Sequence, residues 1–194
     1  MESILHFDEW LFTLLNGTWR ADFLDAIAPM WRHKYFWVPL YLFVLAIVAV
    51  NFRSRFFPFL LLAVVTITVA DTLSSKVIKP LVKRDRPCRA EHLAQPAVVL
   101  VSCGGGYSFT SSHATNHFAI ACFFMLTIGT VFTFSKGLFL LWAASISYGQ
   151  VYVGVHYPID VLTGALIGSL IGIGVAYLFN TRWRFSTENF DPIA

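Results

Sequence analysis

The chain has 194 residues, of which 57% are hydrophobic, 16% aromatic and only 13% charged, with a formal net charge of +3. A soluble domain carries roughly 25% charged residues, so this is an integral membrane protein, and so small a net charge gives no reason to invoke nucleic acid. Apolar runs of about 20 residues between short polar breaks point to an all-α, polytopic helical bundle and not a barrel, and Cys88, Cys103 and Cys122 have no metal-ligand spacing.

Residues 1–30 are amphipathic: Ile4, Leu5, Trp10, Leu11, Leu14 and Leu15 mix with Glu2, His6, Asp8 and Glu9. The first apolar run is too short to span and lacks the basic flank of a cleaved signal peptide. It reads as an interfacial helix, with a helix packed on the bundle as the alternative. Arg32, His33 and Lys34 precede a first span over about 35–52, and the basic turn NFRSR (51–55) leads to a second over about 57–78. Asp71, Thr72, Ser74, Ser75, Lys76 and Lys79 gather where that span emerges. Asp71 is a functional suspect because it lies in a span, or else a structural partner of a nearby Ser or Lys.

Residues 79–110 form the longest polar connection and carry Lys79, Lys83, Arg84, Arg86 and Arg89. It ends in GGGYSFTSSHATNH (104–117), in which Ser111 or Ser112 suits the N-cap of a third span, about 112–132. A glycine-rich loop running into a helix N-terminus can bind an anion through its N–H groups and the helix dipole. Asn116 and His117, one turn beyond His113, read as helix-packing residues, with shaping of the pocket as the alternative. A turn with Lys136 leads to a fourth span, about 138–154, and a fifth follows over about 159–179, where Gly164, Gly168, Gly172 and Gly174 favour close helix packing. That makes five spans in a single domain over 1–194.

Alternation puts the 79–110 loop and the 154–159 turn on one side of the membrane. Arg53, Arg55, Lys136, Arg182 and Arg184 lie in short segments on the other, which the positive-inside rule makes cytoplasmic. The first side has more basic residues, but they cluster as though around an anion.

Three arms converge there. Lys79, six residues and Arg86-Pro87 supply a point charge and a planar fork for phosphate oxygens, or a basic patch that meets lipid headgroups. SFTSSHA supplies Ser111 and His113. GQVYVGVHYPIDV supplies His156 and, four residues on in a first helical turn behind Pro158, Asp160. The aspartate can take the His156 Nδ1–H and fix the tautomer.

Together these arms resemble the type 2 phosphatidic acid phosphatase superfamily, which shares its core with vanadium haloperoxidases and whose pattern is Lys-x6-Arg-Pro, Pro-Ser-Gly-His and Ser-Arg-x5-His-x3-Asp. The resemblance covers about 57–180. Thr110 and Ser112 replace the pattern's Pro and Gly, and Gly149-Gln150 replaces Ser-Arg, so the second arginine is missing; Lys83, Arg84 and Arg89 are candidates to compensate.

The resemblance implies that His156 attacks phosphorus, Asp160 orients it and His113 protonates the leaving oxygen and then activates water. Lys79, Arg86, Ser111, Ser112 and Gln150 would contact the phosphate, with no metal or other cofactor. Its substrate would be a membrane lipid phosphate: undecaprenyl diphosphate or a phosphorylated glycerolipid first, lipid A phosphate as a further possibility. A chain without the second arginine could instead be a catalytically degenerate binder of anionic lipid. If the 79–110 loop is extracytoplasmic, Cys88 and Cys103 suit a disulfide, and Cys122 belongs inside the third span.

Overall fold

The computed structural model describes residues 2–189. Eight α-helices follow in order: α1 (Glu2–Thr13), α2 (Asp22–Trp31), α3 (Val38–Asn51), α4 (Phe56–Asp71), α5 (Lys79–Val82), α6 (Ser112–Leu126), α7 (Ser135–Tyr152) and α8 (Pro158–Trp183). Segments Lys34–Asn51, Arg53–Arg89 and Pro158–Trp183 are long and apolar enough to cross a membrane. The other two members of the five-helix bundle, α6 with 15 residues and α7 with 18, lie against them. The second predicted span does not stay α-helical to its end: a π-helical stretch, Thr72–Ile78, joins α4 to α5. Such wide turns are frequent at functional sites, and this one leads directly to Lys79.

α6 is the axis of the bundle, with nine of its fifteen residues buried. Its Phe123 and Phe124 pack on Phe59 of α4 and, with Phe179 of α8 and Phe185, form an aromatic cluster. α8 comes so close to α6 that a Cβ at Gly164, Gly168 or Gly172 would lie within 2.7 Å of the Ser111, Thr115 or Ala119 carbonyl oxygen. The four-residue spacing of both sets keeps one face of each helix in register. Gly174, expected to join this seam, has no atom near its missing Cβ and faces away. Gly168→Ala is therefore expected to lower stability by about 1–3 kcal/mol through overpacking. Thermal melts of detergent-purified protein check this, and an unchanged Tm would refute the close-packing account.

The N-terminal segment has one exposed apolar face and one docked on the bundle. Ile4, Phe7, Trp10, Trp19 and Phe23 are exposed, while Asp8, Phe12 and Asn16 are buried against the bundle. Asn16 Nδ2 donates to the Val98 and Tyr152 carbonyls at 2.9 and 2.8 Å, and its oxygen accepts from Val98 N–H at 2.8 Å.

The two ends of the bundle differ. At one end Phe185 of the tail packs on Phe52, and Thr130 Oγ1 donates to the Phe185 carbonyl at 3.2 Å, which gathers the short basic connections. At the other end the 83–111 connection folds across the helix tips. Leu100 N–H donates to the Val153 carbonyl at 3.3 Å, and a disulfide joins Cys88 to Cys103 with Cα atoms 6.0 Å apart. Gly154 has φ +84°, and a Cβ there would lie 2.5 Å from the Val98 carbonyl oxygen, so the turn before α8 needs glycine. Cys122 is a free, buried thiol.

Candidate active site

Beneath the 102–106 loop lies a cavity of about 470 Å³. Lys79 and Arg86 enter its wall from α5 and the segment after it, Ser75 from the π-helical stretch, Ser112 and His113 from the start of α6, and His156 from the turn before α8. The three arms thus meet in one space.

His156 is 2% exposed, and its Nδ1 lies 3.4 Å from Asp160 Oδ2. A carboxylate accepts only, so Nδ1 carries the proton and the lone pair is on Nε2, where it accepts from Arg86 Nη1. Nε2 points the other way, 3.4 Å from Arg86 Nη1. Burial pushes the His156 pKa down to about 4, with Asp160 pulling in the opposite direction. The ring is therefore neutral, and Nε2 nucleophilic, at neutral pH.

Asp160 is fully buried behind His156. Its Oδ2 also accepts from Tyr157 N–H at 3.0 Å, and its Oδ1 accepts from Arg84 Nη1 at 2.8 Å. Arg84 Nη2 donates in turn to Asp8 Oδ2 at 2.6 Å, and the guanidinium carbon lies 3.9 Å over the Tyr157 ring. Asp8 Oδ1 accepts from Ile159 N–H at 2.8 Å. A buried Asp8–Arg84–Asp160–His156 chain therefore runs from α1 to the cavity.

The loop over the cavity is held by cations. Lys79 Nζ donates to the Tyr107 and Ser108 carbonyls at 2.8 and 3.0 Å. Arg86 Nε donates to the Gly106 carbonyl at 3.4 Å, and Arg89 Nη2 donates to the same oxygen. A string of polar groups leads in from α4: Asp71 Oδ1 accepts from Asn116 Nδ2 at 3.0 Å and Ser75 Oγ at 3.4 Å, and Ser75 and Ser112 hydroxyls lie 2.9 Å apart. Asp71 and Asn116 thus tie α4 to α6. His117 Nδ1 lies 2.8 Å from the His113 carbonyl, and its ring meets Trp142 edge-on.

Two expected phosphate contacts are placed otherwise. Ser111 is fully buried and is the N-cap of α6, its Oγ accepting from Ala114 N–H at 3.4 Å, so Ser112 and not Ser111 shows a hydroxyl to the cavity. Gln150 is fully buried one layer behind the wall. Nor do the expected substitutes for the missing arginine reach the space: Lys83 caps α5 with φ 53° and is exposed, Arg84 is engaged by two carboxylates, and Arg89 is turned to the Gly106 carbonyl. The cation that does line the cavity there is Arg32, from the end of α2, whose Nε donates to Gln150 Oε1 at 3.0 Å. In the sequence Arg32 reads only as a flank of the first span. Its one signal is its place in a basic cluster beside Trp31, which suits a membrane edge equally well.

The pattern that defines the PAP2 superfamily matches residues 59–184. The chain belongs to that superfamily. It is 34% identical to a lipid A 4'-phosphatase of Bacteroides thetaiotaomicron over 89% of this chain and 76% of that protein. It is 30% identical to an undecaprenyl-diphosphatase of Sulfolobus acidocaldarius over 88% and 77%. The crystal structure of Aquifex aeolicus LpxE superposes with a TM-score of 0.64 at 27% identity, covering 86% of this chain and 93% of that one. A PAP2-type phosphatidylglycerolphosphate phosphatase of Bacillus subtilis shares the fold, with a TM-score of 0.73 at 22% identity over 96% and 90%. The PAP2 match begins at Phe59 and so leaves out α1 and α2, the elements that deliver Asp8 and Arg32.

Proposed function

We propose that this PAP2 protein hydrolyses a phosphate monoester on a membrane lipid, with lipid A phosphate as the leading substrate. The chain is a membrane lipid phosphatase, a phosphoric ester hydrolase. The observation that carries the mechanism is the cavity itself, with a carboxylate-oriented His156 opposite His113 and cations in its wall. His156 Nε2 attacks phosphorus and forms a phosphohistidine. His113, held as the imidazolium by the negative charge of the bound phosphate, gives its proton to the departing oxygen, then takes one from the water that attacks the phosphohistidine and restores both histidines. Lys79, Arg86, Ser112 and the α6 N-terminal amides hold the phosphoryl oxygens and stabilise the charge that develops on them.

The chain acts as one membrane-embedded unit that includes α1 and α2, because Asp8 and Arg32 reach the site. The basic connections at the far end favour that end for the cytoplasm, which turns the cavity to the periplasmic face of a bacterial inner membrane. A site at headgroup depth beneath a bundle suits a lipid whose tails stay in the bilayer. Two lipid A 4'-phosphatases among the relatives, the second from Porphyromonas gingivalis at 29% identity over 94% of this chain and 78% of that protein, move lipid A phosphate ahead of undecaprenyl diphosphate and the glycerolipids.

The test is phosphate release by detergent-purified protein from lipid A, undecaprenyl diphosphate, phosphatidylglycerol phosphate and phosphatidic acid. The highest kcat/KM is expected on lipid A, with inorganic phosphate as product. A higher kcat/KM on any other lipid would overturn the substrate assignment. Saturable binding of these lipids without release from any would leave the anionic-lipid binder instead.

A further inference from the structure

Three cations, Arg32, Lys79 and Arg86, line one cavity, and among the described residues none of them forms an ion pair with a carboxylate. Lys79 and Arg86 satisfy themselves on backbone carbonyls. Among the described residues Arg32 has one side-chain hydrogen bond, from Nε to the Gln150 amide oxygen at 3.0 Å, and neither terminal nitrogen of its guanidinium has a partner. The nearest acid on its own helix, Asp25, is engaged by Arg20 at 2.6 Å and by the Tyr152 hydroxyl at 2.5 Å. A half-buried guanidinium beside a second one is unfavourable without an anion between them.

Gln150 explains how the arrangement is held. It is fully buried, and its Nε2 donates to the Ile146 carbonyl at 3.4 Å, which turns its oxygen to Arg32. A neutral amide can orient a guanidinium without cancelling its charge. A glutamate there would form a bidentate pair and neutralise it. α2 lies against α7 at this point, close enough that a Cβ on Gly149 would touch Arg32 Cβ at 3.6 Å.

We propose that Arg32 is a phosphate-binding residue of the site, delivered by α2 from outside the PAP2 match and aimed by Gln150, and that it takes the place of the arginine the family carries at position 150. The inference rests on the phosphatase reading for its ligand class, a phosphate monoester. It predicts that the two partners are coupled in a particular sense: whatever neutralises Arg32 disables phosphate binding even when the arginine is still there.

The test is isothermal titration of inorganic phosphate into detergent-purified full chain, with Tm recorded for each variant and kcat/KM for phosphate release. Arg32→Gln and Gln150→Glu are both expected to weaken phosphate binding tenfold or more and to lower kcat/KM about 100-fold, with Arg32→Lys between them and the wild type. Gln150→Glu should melt no lower than wild type, because it replaces an amide contact by an ion pair. A tether between α2 and α7 with no ligand role would leave phosphate affinity unchanged in Gln150→Glu, and that result overturns the proposal, as does a wild type that shows no phosphate binding. If Arg32→Gln does not fold, Gln150→Glu, which retains the arginine, decides. A wild type that binds phosphate but releases none from any lipid sinks the phosphatase reading and leaves this one standing. Variants that bind phosphate like wild type while turnover proceeds do the reverse.

Discussion

His156→Ala is expected to reduce phosphate release by at least about 10⁴-fold, or roughly 5.5 kcal/mol of transition-state stabilisation, while the protein still folds. The side chain is buried, but it occupies the turn between α7 and α8, outside the aromatic cluster that holds the bundle together. Its removal takes away the ring whose Nε2 lone pair, backed through Nδ1 by the Asp160 carboxylate, faces the cavity beside Arg86. The companion variant separates nucleophile from acid. His113→Gln is expected to lose about 10² to 10⁴-fold on a lipid phosphate, whose alkoxide leaves poorly without a proton. Compared as kcat/KM, which reports phosphohistidine formation and not the later attack of water, it should lose far less on p-nitrophenyl phosphate, whose leaving group needs none. His156→Ala should be equally inactive on both substrates. Residual wild-type-like turnover in His156→Ala would remove the phosphohistidine from the mechanism, and equal losses on both substrates in His113→Gln would remove the general acid. Because burial holds the His156 ring pKa to about 4, protonation of the nucleophile should not limit kcat/KM until well below the pH at which a free imidazole titrates.

What the sequence made legible was the chemistry of single arms. Lys79, Arg86, His113, His156 and Asp160 sit in three short stretches whose residue types and spacings have few other uses, and helix alternation alone put them on one side of the membrane. The helical bundle was legible for the same local reason, and three of its five expected spans are long and apolar enough to cross a membrane. What stayed hidden depended on contacts distant in sequence. Asp8 reads as one of several charges on an amphipathic helix, and only the fold shows it buried 76 residues from its partner Arg84. Arg32 reads as a membrane-edge cation, and its meeting with Gln150 crosses 118 residues. Ser111 and Ser112 are alike in sequence, and the φ/ψ of the helix start decided which caps α6 and which faces the cavity. Gln150 kept a catalytically degenerate binder open as the alternative, because Arg32, the cation that lines the cavity beside it, comes from a helix outside the family pattern.

Arg84→Ala is expected to lower stability by about 3–5 kcal/mol, the range found when one member of a buried ionic cluster is removed, and to depress kcat in the molecules that remain folded. The guanidinium fork bridges Asp8 and Asp160, both fully buried, and covers the Tyr157 ring. Without it Asp160 loses the group that holds Oδ1, and the aspartate that fixes the His156 tautomer is held through Oδ2 alone. Arg84→Lys keeps one charge but cannot span two carboxylates with a fork, so it should fall between wild type and Arg84→Ala in both Tm and kcat. The acid behaviour gives an independent reading. Desolvation raises the pKa of Asp8 above its ordinary value of 3.8, while the Ile159 amide and Arg84 oppose that rise. Removing Arg84 raises it further. A carboxyl whose folded pKa lies above its unfolded one destabilises the fold as pH rises through the interval between them, because the folded state then binds more protons than the unfolded. The Tm deficit of Arg84→Ala relative to wild type should therefore be largest at neutral pH and narrow as the pH falls into the acid range. Asp8→Asn combined with Arg84→Ala should flatten that trend, since the amide still accepts the Ile159 N–H and carries no charge to strand. A deficit that is constant with pH, or a kcat unchanged in Arg84→Ala, would show that the Asp8–Arg84 pair does not support the catalytic aspartate.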